Sequence, residues 1–161
     1  MEQWRVKSEQ YLEKYQEQLP LYTEMLNIVK GQEECLLGEE VDLEKLNRLI
    51  NRRREIMDKL ISVNEALTKL KEELEKEPAF NGQDYIKYLE LNSREFLTVK
   101  QDLKKLMGEI KELDEKNGQL LQVKINEIRR NLKKVREDKR AINLYGGYSN
   151  HQQAAFFDRN A

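Results

Sequence analysis

The hydrophobic residues of this chain follow a helical period over most of its length, because apolar side chains recur three and four residues apart. The longest run lies between Leu103 and Ile142 and is typical of one amphipathic helix of about forty residues. Asn117 takes one of the inward positions, and the pair at Leu120 and Leu121 moves the apolar stripe by one residue. Such a shift is a discontinuity in a heptad pattern, so the apolar face beyond it turns away from its earlier line.

A first helix is predicted over about residues 3–37, where apolar and aromatic residues keep the same spacing. Pro20 lies inside this segment, and because proline lacks a backbone N–H, we expect a kink or a short break near residues 16–20. The aromatic residues of the segment fit either core packing or the wall of a groove for an apolar partner helix. These residues are Trp4, Tyr11, Tyr15 and Tyr22.

A second helix is predicted over about residues 42–76. Gly38 stands where the first helix would end, and the Asp42 side chain can cap the second one by accepting backbone hydrogen bonds. The inward positions predicted for this helix are Leu43, Leu46, Ile50, Arg53, Met57, Leu60, Asn64, Leu67, Lys71 and Leu74. Polar residues interrupt this seam, which suits the edge of a wider bundle better than a dry two-stranded coil.

Pro78 and Gly82 turn the chain back, and Asp84 is placed to cap a third segment over residues 84–142. As one rod this segment would be nearly 90 Å long against roughly 50 Å for each earlier helix, so it either overhangs or breaks. Asn117-Gly118 is the best candidate for a break. We expect continuity, because apolar residues flank this pair at helical spacing on both sides.

These patterns predict an all-α fold with two parts. Residues 1–143 are expected to form an antiparallel bundle of three long amphipathic helices, or four if a segment breaks, as a monomer or weak dimer. Residues 144–161 are expected to form a flexible tail that contains aromatic residues.

Composition excludes several classes of function. The chain carries 29 basic and 30 acidic residues, so no overall field attracts nucleic acid. No apolar stretch is long enough for membrane insertion and no signal-peptide pattern is present, so we expect a cytoplasmic protein. Cys35 and His151 are the single residues of their types, and we therefore expect no disulfide, no metal site and no cofactor.

One segment carries a pattern known from an enzyme. Leu46–Ile56 alternates leucines with arginines and resembles the first helix of the all-helical chorismate mutases, where inward arginines bind the carboxylates of the substrate. The same arginines fit surface pairs with acidic residues one helical turn away. Because a lone histidine leaves most nucleophilic schemes without a base, we expect no enzyme and keep the mutase interpretation as an alternative.

Several motifs follow one another along nearly the whole chain. After an acidic turn comes Asp42-Leu43-x-x-Leu46, followed in the same helix by Arg54-x-Ile56. Farther on, Leu113-Asp114-x-x-Asn117-x-x-Leu120-Leu121 leads into a basic helix that closes with Lys139-Arg140-Ala141-Ile142-Asn143-Leu144-Tyr145-Gly146. In this order and spacing, the chain resembles the small flagellar export chaperones of the FlgN and FliT type.

The resemblance implies a cytoplasmic chaperone without catalysis, which keeps late flagellar subunits unassembled and delivers them to the type III export apparatus. Clients of the FlgN type are the hook-filament junction proteins, and those of the FliT type are the filament cap protein. The competing hypothesis is an architectural coiled coil or adaptor with no client. An amphipathic client helix would need a complementary apolar row, with anchors at helical spacing.

Two groups of residues are candidates for binding. The shift of the stripe at Leu120 and Leu121 predicts that one apolar row stays underburied, and exposed apolar rows commonly mark interfaces. The alternative is that the first helix bends at Pro20, follows the shift and buries this row as core. The client-binding row is predicted to consist of Leu121, Ile125, Ile128, Leu132 and Val135. The FliT-type resemblance further suggests that the tail covers this row until a client competes for it. The residues of that autoinhibitory contact would be Tyr145, Tyr148, Phe156 and Phe157.

Overall fold

The structure, a computed structural model, describes residues 3–146, with side chains over residues 3–144. Within that range, every regular element is a helix. The helices are α1 (Gln3–Leu37), α2 (Leu43–Glu75), α3 (Tyr85–Asn92) and α4 (Arg94–Gly146). The predicted all-α class and the bounds of the first two helices are confirmed.

Side-chain hydrogen bonds cap the N-termini of α2 and α3 at the residues that the sequence predicts. The Asp42 carboxylate accepts a hydrogen bond from the Lys45 amide at 3.1 Å, and Asp84 accepts one from the Ile86 amide at 2.9 Å. α1 continues through Pro20 without ending, so the proline does not break the helix. Buried side chains of α1 lie on both sides of Pro20, and their packing holds the helix together across the lost hydrogen bond.

The third segment breaks at Ser93, and the expectation of one helix over residues 84–142 is wrong at that point. Ser93 has an extended backbone, with φ −127° and ψ 107°, and therefore ends α3. Its hydroxyl then accepts a hydrogen bond from the Phe96 amide at 3.1 Å and caps α4. The predicted continuity through Asn117-Gly118 is confirmed, since α4 runs through this pair.

The chain divides into two compact units at the junction between Asn117 and Gly118. In the first unit, α2 runs antiparallel to α1, because contacts link the end of α1 to the start of α2 and the start of α1 to the turn after α2. The first part of α4 runs parallel to α1, as the pairs Tyr15 with Phe96 and Val29 with Asn117 show. These three helices, together with α3 and the turn before it, enclose the core of the first unit.

An aromatic cluster fills one end of the first unit. The ring of Phe80, from the turn between α2 and α3, lies edge-on to Trp4 and to Tyr85, with centroid distances of 5.3 Å in both cases. Tyr85 in turn meets the ring of Tyr11 at 5.1 Å. Burial raises the pKa of Tyr11 far above its usual value, so its phenol is neutral. The sequence left two interpretations for the aromatic residues of α1. For Trp4 and Tyr11 the structure shows core packing.

Aliphatic side chains pack in the middle of the first unit. The residues of α2 that are buried differ in part from the seam that the sequence predicts. Its buried residues are Ile56, Leu60, Val63, Leu67 and Leu74. The prediction is wrong for Leu43, Ile50, Met57 and Asn64, which are exposed. α2 carries two adjacent apolar rows, and packing against α1 buries one of them and leaves the other open.

Replacing Gly108 with alanine is expected to raise the free energy of unfolding by about 0.5–1 kcal/mol, because glycine weakens a helix interior by that amount. An added Cβ at Gly108 would meet nothing within 4 Å. Urea denaturation of both proteins measures the difference. The control is Gly31→Ala, where the new Cβ would lie 3.1 Å from Leu49 Cδ1, so crowding should reduce or reverse the gain. A destabilised Gly108→Ala protein would contradict this account.

Candidate functional site

The predicted client-binding row lies on one face of α4, because its members alternate four and three residues apart. Leu121, Ile128, Leu132 and Val135 are all exposed, three of them by more than half of their surface, while Ile125 is half-buried. From Gly118 to Leu144 the structure contains no buried side chain. The row is thus present as an open apolar surface, and its role in binding stays a prediction.

Basic side chains surround this row. Basic residues predominate between Lys124 and Arg140. Within this stretch, Lys124 forms an ion pair with Glu127 of the next helical turn, at 3.8 Å. Most of these lysines and arginines are exposed. An apolar row with a basic flank suits a partner helix that carries acidic residues beside its own apolar row.

The predicted autoinhibitory contact cannot be placed. Tyr148, Phe156 and Phe157 lie outside the described residues, as does the side chain of Tyr145. Self-coverage of the row by these residues therefore stays a prediction.

A second apolar surface, which the sequence did not reveal, lies in the first unit. The α2–α4 groove is the furrow between residues 53–71 of α2 and residues 100–115 of α4, and its floor is formed in part by α1. It consists of two adjoining cavities of about 450 and 530 Å³, which share Asn64 and Met107. Met57 and Ile61 form part of the α2 wall of this groove, so Met57, which the sequence predicts to be a core residue, lines an open surface instead.

One end of the α2–α4 groove is closed by an ion pair between the two helices. Both terminal nitrogens of Arg53 donate hydrogen bonds to the Asp114 carboxylate, at 2.7 and 2.6 Å. This bidentate pairing raises the pKa of Arg53 above its usual value. Arg52 binds Glu24 and Glu55. Two arginines of the segment that resembles a mutase helix are thus engaged by carboxylates of the chain itself.

Asn117 provides a polar anchor between α4 and α1. Its side chain is buried, and Nδ2 donates a hydrogen bond to the Val29 carbonyl at 3.0 Å. A buried polar group on an apolar seam favours one register over its neighbours, because any slip would leave it without a partner. This part of the sequence motif therefore has a structural role at the end of the first unit.

The described residues lack two kinds of element that would point to other functions. None of the helices there is long and apolar enough to cross a membrane. Residues 3–146 also hold no group of three or more histidine, cysteine or acidic side chains arranged to bind a metal ion.

A comparison with known protein families identifies a match over most of the chain. The family model described as "FlgN protein" matches residues 1–153, which is most of the 161-residue chain. Neither the curated proteins nor the solved structures gave a match.

Proposed function

This chain belongs to the FlgN family of flagellar export chaperones, and we propose that it binds the helical terminal segments of hook-filament junction proteins. In this function it acts in the cytoplasm, prevents premature assembly of these subunits and delivers them to the type III export apparatus. The filament cap protein is the alternative client. The role is one of binding, without catalysis and without a cofactor.

The observation that carries the proposal is the open apolar row of α4. Flagellar subunits that assemble through coiled-coil packing have terminal helices with apolar stripes, and such stripes need cover before assembly. A row that alternates four and three residues apart matches the period of such a stripe. Burying an exposed leucine or isoleucine contributes about 1.5–3 kcal/mol, so a few contacts along the row supply useful affinity.

The basic residues beside the row help to orient a bound client helix. Lysines and arginines beside the row favour a client helix with acidic residues on the matching side, and they raise the association rate at low salt. Because the clients must later be released to the export apparatus, a modest number of half-exposed anchors suits the task better than a deep and fully enclosed site.

A titration tests the proposed function. The full chain is titrated in a calorimeter with peptides that correspond to the C-terminal segments of a junction protein and of the cap protein from the same organism. We expect saturable one-to-one binding, tighter for the junction segment. If neither peptide binds and the chain forms a stable elongated oligomer in light scattering, the client-free coiled coil is the correct account and the proposal falls.

A truncation tests the self-coverage of the row. If the tail favours a closed state tenfold, which corresponds to about 1.4 kcal/mol, a chain ending at Asn143 should bind the junction segment about ten times more tightly than the full chain. The same titration measures both proteins. Affinity that is equal or weaker after truncation would show that the tail is inert or part of the binding surface.

A further inference from the structure

We propose that the α2–α4 groove of the first unit is a second docking surface, which receives an amphipathic helix with an acidic flank. The proposal goes beyond the proposed function, because it concerns residues of α2 and the first part of α4 rather than the apolar row at Leu121–Val135. Its occupant is defined by chemistry, namely an apolar stripe with carboxylates along one side.

The groove is open and apolar where a partner would lie. Met57 and Ile61 on the α2 wall are 47% and 53% exposed, and Met107 on the α4 wall is 42% exposed. Below them, the floor contains the side chains of Met25 and Leu60. Methionine side chains are flexible and polarizable, so walls built from them can adapt to different apolar partners.

The shape of the groove selects a helix as its occupant. It extends from Arg53 to Lys71 along α2 and from Lys100 to Glu115 along α4. At 1.5 Å per residue these stretches are about 25 Å long, which fits a helix of about 16 residues. The groove also lies between two helices that both pack on α1, so a docked helix would complete a four-helix arrangement with apolar contacts on both walls.

The charges of the α4 wall select the flank of the occupant. Lys104 and Lys111 both line the groove, and they lie three residues before and four residues after Met107 on the same face of α4. Neither lysine forms an ion pair with any residue of the described part of the chain. By contrast, Lys71 and Lys100, at the far end of the groove, already bind carboxylates of the chain.

These features together fix how the partner lies. Its acidic side faces the two unpaired lysines on α4, and its apolar stripe faces the methionines and Ile61. The ion pair between Arg53 and Asp114 spans the groove at one end, so the helix ends there. Glu115 lies beside that end and disfavours a carboxylate at this last position.

The probe for this proposal is a designed 16-residue amphipathic peptide with a leucine stripe and glutamates along one flank. A matched peptide carries lysines on that flank. Fluorescence anisotropy of the labelled peptides with the full chain measures both affinities. We expect the glutamate peptide to bind at least tenfold more tightly than the lysine peptide, because the unpaired lysines attract the first and repel the second. The basic flank of the α4 row favours the same peptide, so charge reversal in the groove is needed to assign the site.

Charge reversal of the two groove lysines tests the proposal most directly. The Lys104→Glu/Lys111→Glu double variant should lose the preference for the glutamate peptide or invert it. The matched control is Lys87→Glu/Lys105→Glu, which makes the same change in net charge at exposed positions outside the groove and should keep the preference. Circular dichroism melting of both variants identifies any loss of folding, and a photoreactive group on the leucine stripe should cross-link to Met57 or Met107.

Three results would overturn the proposal. The first is a preference that survives Lys104→Glu/Lys111→Glu in a folded protein. The second is cross-linking to Ile128 or Leu132, which would place the peptide on the α4 row, so the groove proposal would fall while the proposed function stood. The third is self-association in light scattering that disappears in the double variant, because the occupant would then be a second copy of this chain.

Discussion

Replacing Phe96 with alanine is expected to lower the free energy of unfolding by about 3–5 kcal/mol, since a buried phenylalanine leaves a large cavity when it is truncated. Phe96 is almost fully buried at the start of α4, and its ring lies 4.7 Å from that of Tyr15 on α1. The substitution removes both an apolar contact between the two helices and the aromatic interaction with Tyr15. Urea unfolding monitored by circular dichroism measures the change.

The neighbouring residue supplies the control for this prediction. Leu97 is exposed on the same turn of α4, so Leu97→Ala should cost less than about 1 kcal/mol. A similar loss of unfolding free energy in both variants would mean that any truncation in the first turn of α4 is destabilising, whether or not the side chain is buried. If Phe96→Ala cost less than Leu97→Ala, the aromatic cluster would not be the core of that end of the first unit.

The second large effect concerns the client. Replacing both Ile128 and Leu132 with serine should weaken binding of the junction segment by about a hundredfold or more, because two apolar anchors worth about 1.5 kcal/mol each or more are lost. Both side chains are more than half exposed in the free chain, so the melting temperature should change little. Calorimetric titration and thermal melting of the same preparation measure the two quantities.

A matched pair of substitutions separates the apolar row from its flank. Arg129→Ser/Lys133→Ser changes the two positions next in sequence and lowers helix propensity in a similar way. This variant should lose less affinity than Ile128→Ser/Leu132→Ser, and its loss should shrink at high salt. If Ile128→Ser/Leu132→Ser instead unfolds the protein at a much lower temperature, these residues stabilise the fold and are not a free binding surface.

The helix starts that the sequence predicted depend on local hydrogen bonds. Asp42 and Asp84 each stand directly before a helix and accept amide hydrogen bonds within three residues, so no distant contact is needed to place them. The break at Ser93 escaped prediction because the apolar spacing from Leu89 to Phe96 is the same with or without it. Ser93 followed by Glu95 was the available signal for a helix start.

The choice between two apolar rows on α2 could not come from periodicity. Leu60 and Leu67 belong to both the predicted seam and the buried row, whereas Met57 and Ile56 are adjacent residues on different rows. Which row is buried depends on how α1 packs, and that is a tertiary property. The sequence did not predict the α2–α4 groove for the same reason, because the groove needs Met57 and Ile61 of α2 to face a separate wall of α4 around Met107.

The edge-on contact between Trp4 and Phe80 gives this protein an internal optical probe. Trp4 is the single tryptophan of the chain, so its emission reports on the aromatic end of the first unit, whereas far-ultraviolet circular dichroism sums over every helix. Residues 118–144 contain no tryptophan, and a change confined to them is visible by dichroism and silent by fluorescence. Comparing the two signals during denaturation therefore shows whether the helix beyond Gly118 melts together with the aromatic end or before it.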